Sequence, residues 1–245
     1  MNLIISITIF MSICFFSCSD SNSTDEYVEE AYQPLKKEEI ESSILYIDSL
    51  PKLLPVDESW MNNSFLEFRT LLLNALEMHD SVFVYSMLDS NILNSFGGDG
   101  GIEEFKAKWK IENNASPFWS LFMSLIELGG TFSDDTLTYT FPYIFDTFPN
   151  NLDPYYHRAI KNEHGNVYLS TTENSIFHST SYSIFEVLEW EDINLEIDEL
   201  YIPVVVDNKR YGFVKETDIH SPIGYRGIFI FKQNDWKLDA FIAGD

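Results

Sequence analysis

Apolar spacing changes period once along this chain, near Gly165, and that change constrains the architecture more than any other feature. Before it the spacing is helical. From Asn63 to about Met78, the residues Phe65, Phe68, Leu72, Ala75 and Leu76 fall on one face of a helix, with Asn63 as its cap. Asp80 is placed to cap a second helix, Ser81 to Leu88, and Ile102 to Trp109 forms a third after the break at Asp99-Gly100-Gly101. A fourth has Ser116 as its cap oxygen, Pro117 in the first turn and Gly129-Gly130 as its stop. A short helix, Lys37 to Ser49, is expected among Pro34, Pro51 and Pro55, and residues 131–153 are expected to wrap over the helices. After Gly165 come short β-branched and aromatic runs: Asn166–Ser170, Ile184–Leu188, Tyr201–Val206, Tyr211–Val214, Gly227–Phe231 and Trp236–Ile242. Turns such as Asp207-Asn208 and Gln233-Asn234-Asp235 separate them. The pattern predicts an α+β protein: a helical domain over 61–153, then a small β-barrel with a C-terminal hairpin over 154–245.

The start of the chain has a different purpose. Leu3 to Phe16 is a run of fourteen mostly apolar residues, too short for a bilayer core and suited to a signal peptide. It ends in Phe15-Phe16-Ser17-Cys18, which resembles the lipobox of bacterial lipoproteins. That resemblance implies removal of residues 1–17 and acylation of Cys18. Residues 18–60 then read as the lipidated Cys and a tether, its 19–30 portion almost wholly Ser, Asp, Asn, Thr and Glu. The implied address is the cell envelope, at the outer membrane, on its periplasmic or its surface face. Cys14 and Cys18 are the only cysteines, so a processed chain holds no disulfide and no thiol nucleophile.

The formal charge of −24 lies entirely beyond residue 18. It argues against nucleic acid, whose phosphates need Lys and Arg, and against electrostatic docking on anionic lipid. Attachment to the membrane would come from the acyl chains on Cys18.

Asn166-Val167 and Tyr211-Gly212-Phe213-Val214, the latter following the hairpin Asp207-Asn208-Lys209-Arg210, resemble the opening and closing motifs of the bacterial SH3-like domain. Tyr168 and Thr171 stand where that family usually has Arg and Pro. Over about residues 60–245 the wider string is similar to a group of envelope proteins with such a domain. Its parts are Asn94 to Gly101, Ser116-Pro117, Ser221 to Arg226, and Ala243-Gly244-Asp245. The resemblance implies a peptide-binding or wall-binding module.

Other constellations are weaker. Phe96-Gly97-Gly98-Asp99-Gly100-Gly101 precedes a helix, as phosphate loops do, but Ile102-Glu103-Glu104 follows where a P-loop needs Lys and a hydroxyl. Two acids at a helix start suit its dipole and repel an anion, so the loop reads as a tight structural connection. Asp89 to Leu93 departs from the EF-hand pattern at its fifth position. His79, His157, His164, His178 and His220 have no metal-ligand spacing, no nucleophile elbow is present, and acidic doublets are expected in so acidic a chain. No catalytic residue, metal or cofactor is assigned.

The aromatic residues and the basic hairpin carry the functional expectation. Tyr182, Lys209, Arg210, Tyr211, Phe213 and Tyr225 are the candidate ligand-binding residues of a non-catalytic envelope lipoprotein. Its partner would be a protein, a peptide or peptidoglycan, with the chain bound to no nucleic acid. Two other readings stand beside it: a wall hydrolase with a site between the domains, and a purely structural lipoprotein.

Overall fold

In the computed structural model residues 31–196 and 198–244 are described; Cys18 and the signal and tether positions up to 30 lie outside the described residues. The chain begins with β1 (Gln33–Pro34) and α1 (Ile40–Ser49), then α2 (Asn63–Glu77), α3 (Ser81–Met87), β2 (Leu88–Leu93), α4 (Ile102–Trp109) and α5 (Pro117–Ile126). Next come β3 (Thr131–Phe132), β4 (Thr138–Phe141), α6 (Ile144–Thr147), β5 (His157–Ile160), β6 (Gly165–Tyr168), β7 (Ile176–Thr180) and β8 (Ile184–Glu186). The last elements are α7 (Trp190–Ile193), β9 (Tyr201–Asp207), β10 (Arg210–Lys215), β11 (Ile219–His220), β12 (Arg226–Lys232) and β13 (Asp235–Ile242). The fold class is α+β.

Local chemistry sets the helix ends. The Asn62 side chain, one residue before the expected cap, accepts from the N–H groups of Ser64 and Phe65 at 3.0 and 3.2 Å. Asp80 does the same for Val82 and Phe83, both at 3.0 Å. Ser116 Oγ accepts from Phe118 N–H at 3.2 Å and donates to the Trp109 carbonyl. Past α5 the chain turns at Gly129, whose φ is +85°.

The first core joins α2 to α5 with a five-stranded sheet of order β2-β13-β12-β4-β3. Phe65, Phe118, Phe122, Phe141, Phe229 and Phe241 are fully buried there, several ring pairs lying 4.9–5.9 Å apart. The C-terminal hairpin therefore belongs to the helical part, not to the 154–245 module to which its position in the sequence assigned it. Backbone pairing explains the return: β12 lies antiparallel to β4 from Gly227↔Phe141 to Ile230↔Thr138. β13 lies parallel to β2.

The second part centres on β10, with β9 antiparallel on one side and β6 then β7 on the other. Period-two alternation splits its residues between two faces. Val204, Val206 and Val214 face Ile47 of α1 and the small sheet β11-β5-β8. Tyr201, Val205, Tyr211 and Phe213 face Leu188, Trp190 and Ile193. Burial on both faces accounts for the unbroken run Val204-Val205-Val206. Among the described residues the strands form three sheets and no closed barrel. Residues 31–60, expected as tether, are also folded: Leu35, Ile47 and Leu53, the apolar side chains between the prolines, join the cores, and Ser59 is buried as well.

Candidate functional site

The hairpin Asp207-Asn208-Lys209-Arg210 joins β9 to β10, with Lys209 at φ +55° in its turn. Half of one side of β10 pairs with β6, at Phe213↔Tyr168 and Val214↔Val167. The other half, Arg210 and Tyr211, pairs in parallel with Gln33 and Pro34. Gln33 N–H donates to the Lys209 carbonyl at 2.9 Å, and Leu35 N–H donates to the Tyr211 carbonyl at 3.2 Å. The strand edge chosen from sequence as a contact surface thus carries an extended segment of the same chain.

Side chains fix that segment at three points. Tyr32 packs against the aromatic cluster around Tyr211, and its hydroxyl donates to Glu186 Oε1 at 3.4 Å. Leu35 is buried against the valines of β9 and β10. Glu39 accepts a charged hydrogen bond from the Arg210 guanidinium. Burial raises the Glu39 carboxyl, but the Lys36 N–H and the Arg210 guanidinium outweigh it and leave the group below its ordinary value. Ser42 Oγ also donates to Asp207 Oδ2 at 3.1 Å, joining α1 to the hairpin.

The six candidate residues do not form one surface. Tyr211 and Phe213 are 4% and 3% exposed, with rings 5.6 Å apart in a T-shaped contact, and Trp190 stacks on Phe213 at 5.9 Å. They fill a small core, as two same-face rings on a doubly covered strand must. Tyr182 lies at the β7–β8 connection with φ +55°, its carbonyl accepting from Leu53 N–H at 2.8 Å. Tyr225 packs in the other core, 5.5 Å from Trp109 and 5.3 Å from Phe241. Lys209 and Arg210 remain together at the β10 edge. Tyr32, Leu35 and Glu39 are the site residues that sequence reading missed. The available signal was Tyr32 and Leu35 flanking Gln33-Pro34, an apolar pair around an extended dipeptide just after the polar stretch 19–30.

A second concavity, of about 300 Å³, lies between α2, α3 and the β12–β13 turn. Phe68, Leu71, Phe83, Phe231 and Trp236 line it, with Glu67 at its rim. In the Gly-rich loop, Gly100 and Gly101 have φ of +73° and +85°, and Gly100 N–H donates to Glu104 Oε2 at 3.0 Å. The acid after the loop therefore occupies a donor that a phosphate would need. Among the described residues no group of three His, Cys, Asp or Glu side chains is placed to hold a metal ion.

One amine–hydroxyl contact has the form of an activated nucleophile. Lys52 Nζ lies 2.6 Å from Ser183 Oγ and 2.8 Å from Thr180 Oγ1, and burial, opposed by Asp48, lowers its pKa. Ser183 is fully buried, so no substrate reaches its oxygen. Lys52 and Ser183 are cross-strand partners in an isolated bridge, which accounts for the contact.

No protein-family model, no curated protein and no solved structure matches this chain. The functional reading therefore rests on the geometry of the β10 edge and on the motifs in the sequence.

Proposed function

We propose that this chain is a non-catalytic envelope lipoprotein, anchored through acyl chains on Cys18. Its SH3-like module takes up an extended segment of a protein, peptide or cell-wall partner along the β10 edge. The module comprises β6, β7, β9 and β10, with the closing motif Tyr211–Val214 lying in β10. The observation that carries this reading is the strand β1: an extended segment already lies on that edge, held by two backbone hydrogen bonds, one apolar anchor and one charged pair. Strand addition of this kind derives affinity from the main chain and selectivity from alternate side chains. The described residues contain no helix long and apolar enough to cross a membrane, and the proposed anchor is the lipid.

Charge reversal at the hairpin tests the reading. Full-length chain and the K209E/R210E variant are each immobilised and exposed to envelope extract and to purified wall. Recovery of a bound partner is expected to fall at least tenfold in the variant, with a weaker dependence on salt, while the melting temperature stays within a few degrees. Equal recovery by a folded variant at low salt contradicts the assignment of the β10 edge.

A further inference from the structure

Resting on that reading, we propose that Tyr32–Glu39 is an exchangeable self-ligand. The partner that replaces it is an acidic peptide with an aromatic residue and, three positions later along an extended stretch, an apolar residue; a helical turn like that at Lys37–Glu39 then brings a carboxylate, four positions beyond the apolar residue, back to Arg210. The pattern is the segment's own: Tyr32, Leu35 and Glu39 each occupy a separate feature of the site. Tyr32 covers the Tyr211 cluster, Leu35 enters the valine face, and Glu39 meets Arg210.

The backbone attachment is slight. β1 pairs with β10 at two positions, whereas β9 pairs with it from Arg210↔Asp207 to Lys215↔Tyr201. Pro34 sits between the two N–H donors and supplies none itself. The Tyr32 hydroxyl makes a long contact, 3.4 Å. Glu39 and Arg210 are both partly exposed, so water competes for each. Beneath the segment, Val204, Val206 and Val214 are also covered by Ile47, Ile160, Phe185 and Ile219.

Charge favours an acidic replacement. Lys209 and Arg210 are adjacent cations in a chain with 15 Lys and Arg against 39 Asp and Glu. The segment's own Glu39 already meets Arg210, so a replacement that keeps this contact carries a carboxylate there. Exchange also alters reach. Residues 31–39 released in extended form add roughly 30 Å, at about 3.3–3.6 Å per residue, between the folded body and residue 30.

The probe is a fluorescein-labelled peptide of residues 31–40, read by anisotropy against full-length chains. The wild type, whose own segment competes, is expected to bind it at least tenfold more weakly than Y32A/L35A. Adding Arg210→Glu to that variant should remove binding, and a probe carrying Glu39→Lys should restore it. A Y32A/L35A chain that melts cooperatively and does not bind the probe overturns the proposal. Hydrogen exchange on the wild type covers the case in which that variant does not fold. The Gln33 and Leu35 amides should exchange at least a hundredfold faster than those of Gly212 and Val214. Exchange of all four at one rate overturns the proposal, because the segment then leaves only on global unfolding. If that occurs while K209E/R210E still loses its partner, the hairpin side chains contact the partner without strand addition, and self-exchange fails.

Discussion

His220 is held on β11, opposite Ala159 of β5, in surroundings that oppose its charge. Burial lowers its pKa first, and Lys161 and Arg158 lower it further, against a backbone hydrogen bond at Tyr225; the result is about 4, from an ordinary 6.5. The folded state therefore favours the neutral ring. Its stabilising contribution is complete above pH 6.5 and is lost as the pH falls from there to about 4, at a cost of up to about 3 kcal/mol. The denaturant midpoint of the wild type should fall across that window, and His220→Gln should flatten the fall without changing the slope above pH 7. An equal slope in both proteins would place the titrating group elsewhere. Gly100 makes a different demand. Its φ is +73°, and a Cβ there would stand 3.0 Å from the Ile92 carbonyl oxygen. Gly100→Ala should cost on the order of 1 kcal/mol or more in a melt, while Asp99→Ala, at an exposed position, should change little. Calcium-dependent stabilisation that disappears in Asp99→Ala would make the loop a metal site instead.

The helices were legible in the sequence because their start and stop signals are local. α4 and α5 start where sequence places them, and α2 has the expected run with its cap shifted to Asn62. Ser116 serves two elements, capping α5 and donating to the last carbonyl of α4. Ser116→Ala should therefore cost about 1–2 kcal/mol, at the upper end for a cap; a loss below about 0.5 kcal/mol would mean that the Trp109 carbonyl finds another donor. Strands β6, β9, β10, β12 and β13 were also readable, since β-branched and aromatic residues cluster between turns. β2 and β7 were not. Leu88–Leu93 carries Asp89, Ser90 and Asn91, and Ile176–Thr180 carries His178 and Ser179, so neither shows an apolar alternation. Asp89 is tolerated in a strand because Lys232 of β12 donates to it at 2.7 Å, a pairing no local window reveals.

The arrangement of the whole molecule was least legible, for a physical reason: strand pairing between distant segments leaves no local mark. The hairpin 226–242 completes the sheet begun by residues 88–93 and 131–141, so the two cores interleave in sequence. The same long-range pairing brings residues 33–35 to β10 and makes a folded element of what reads as tether. Two surfaces then compete for the role of docking site: the β10 edge, and the aromatic concavity beside Leu71, which is 58% exposed. Site-specific photo-crosslinking in intact cells separates them. One full-length chain carries a benzoylphenylalanine at Asn208, in the exposed hairpin turn, and another carries it at Leu71. The account predicts a partner adduct from position 208 that Arg210→Glu abolishes, with the cross-linked residue in an extended acidic segment. An adduct from position 71 with none from position 208 would contradict it.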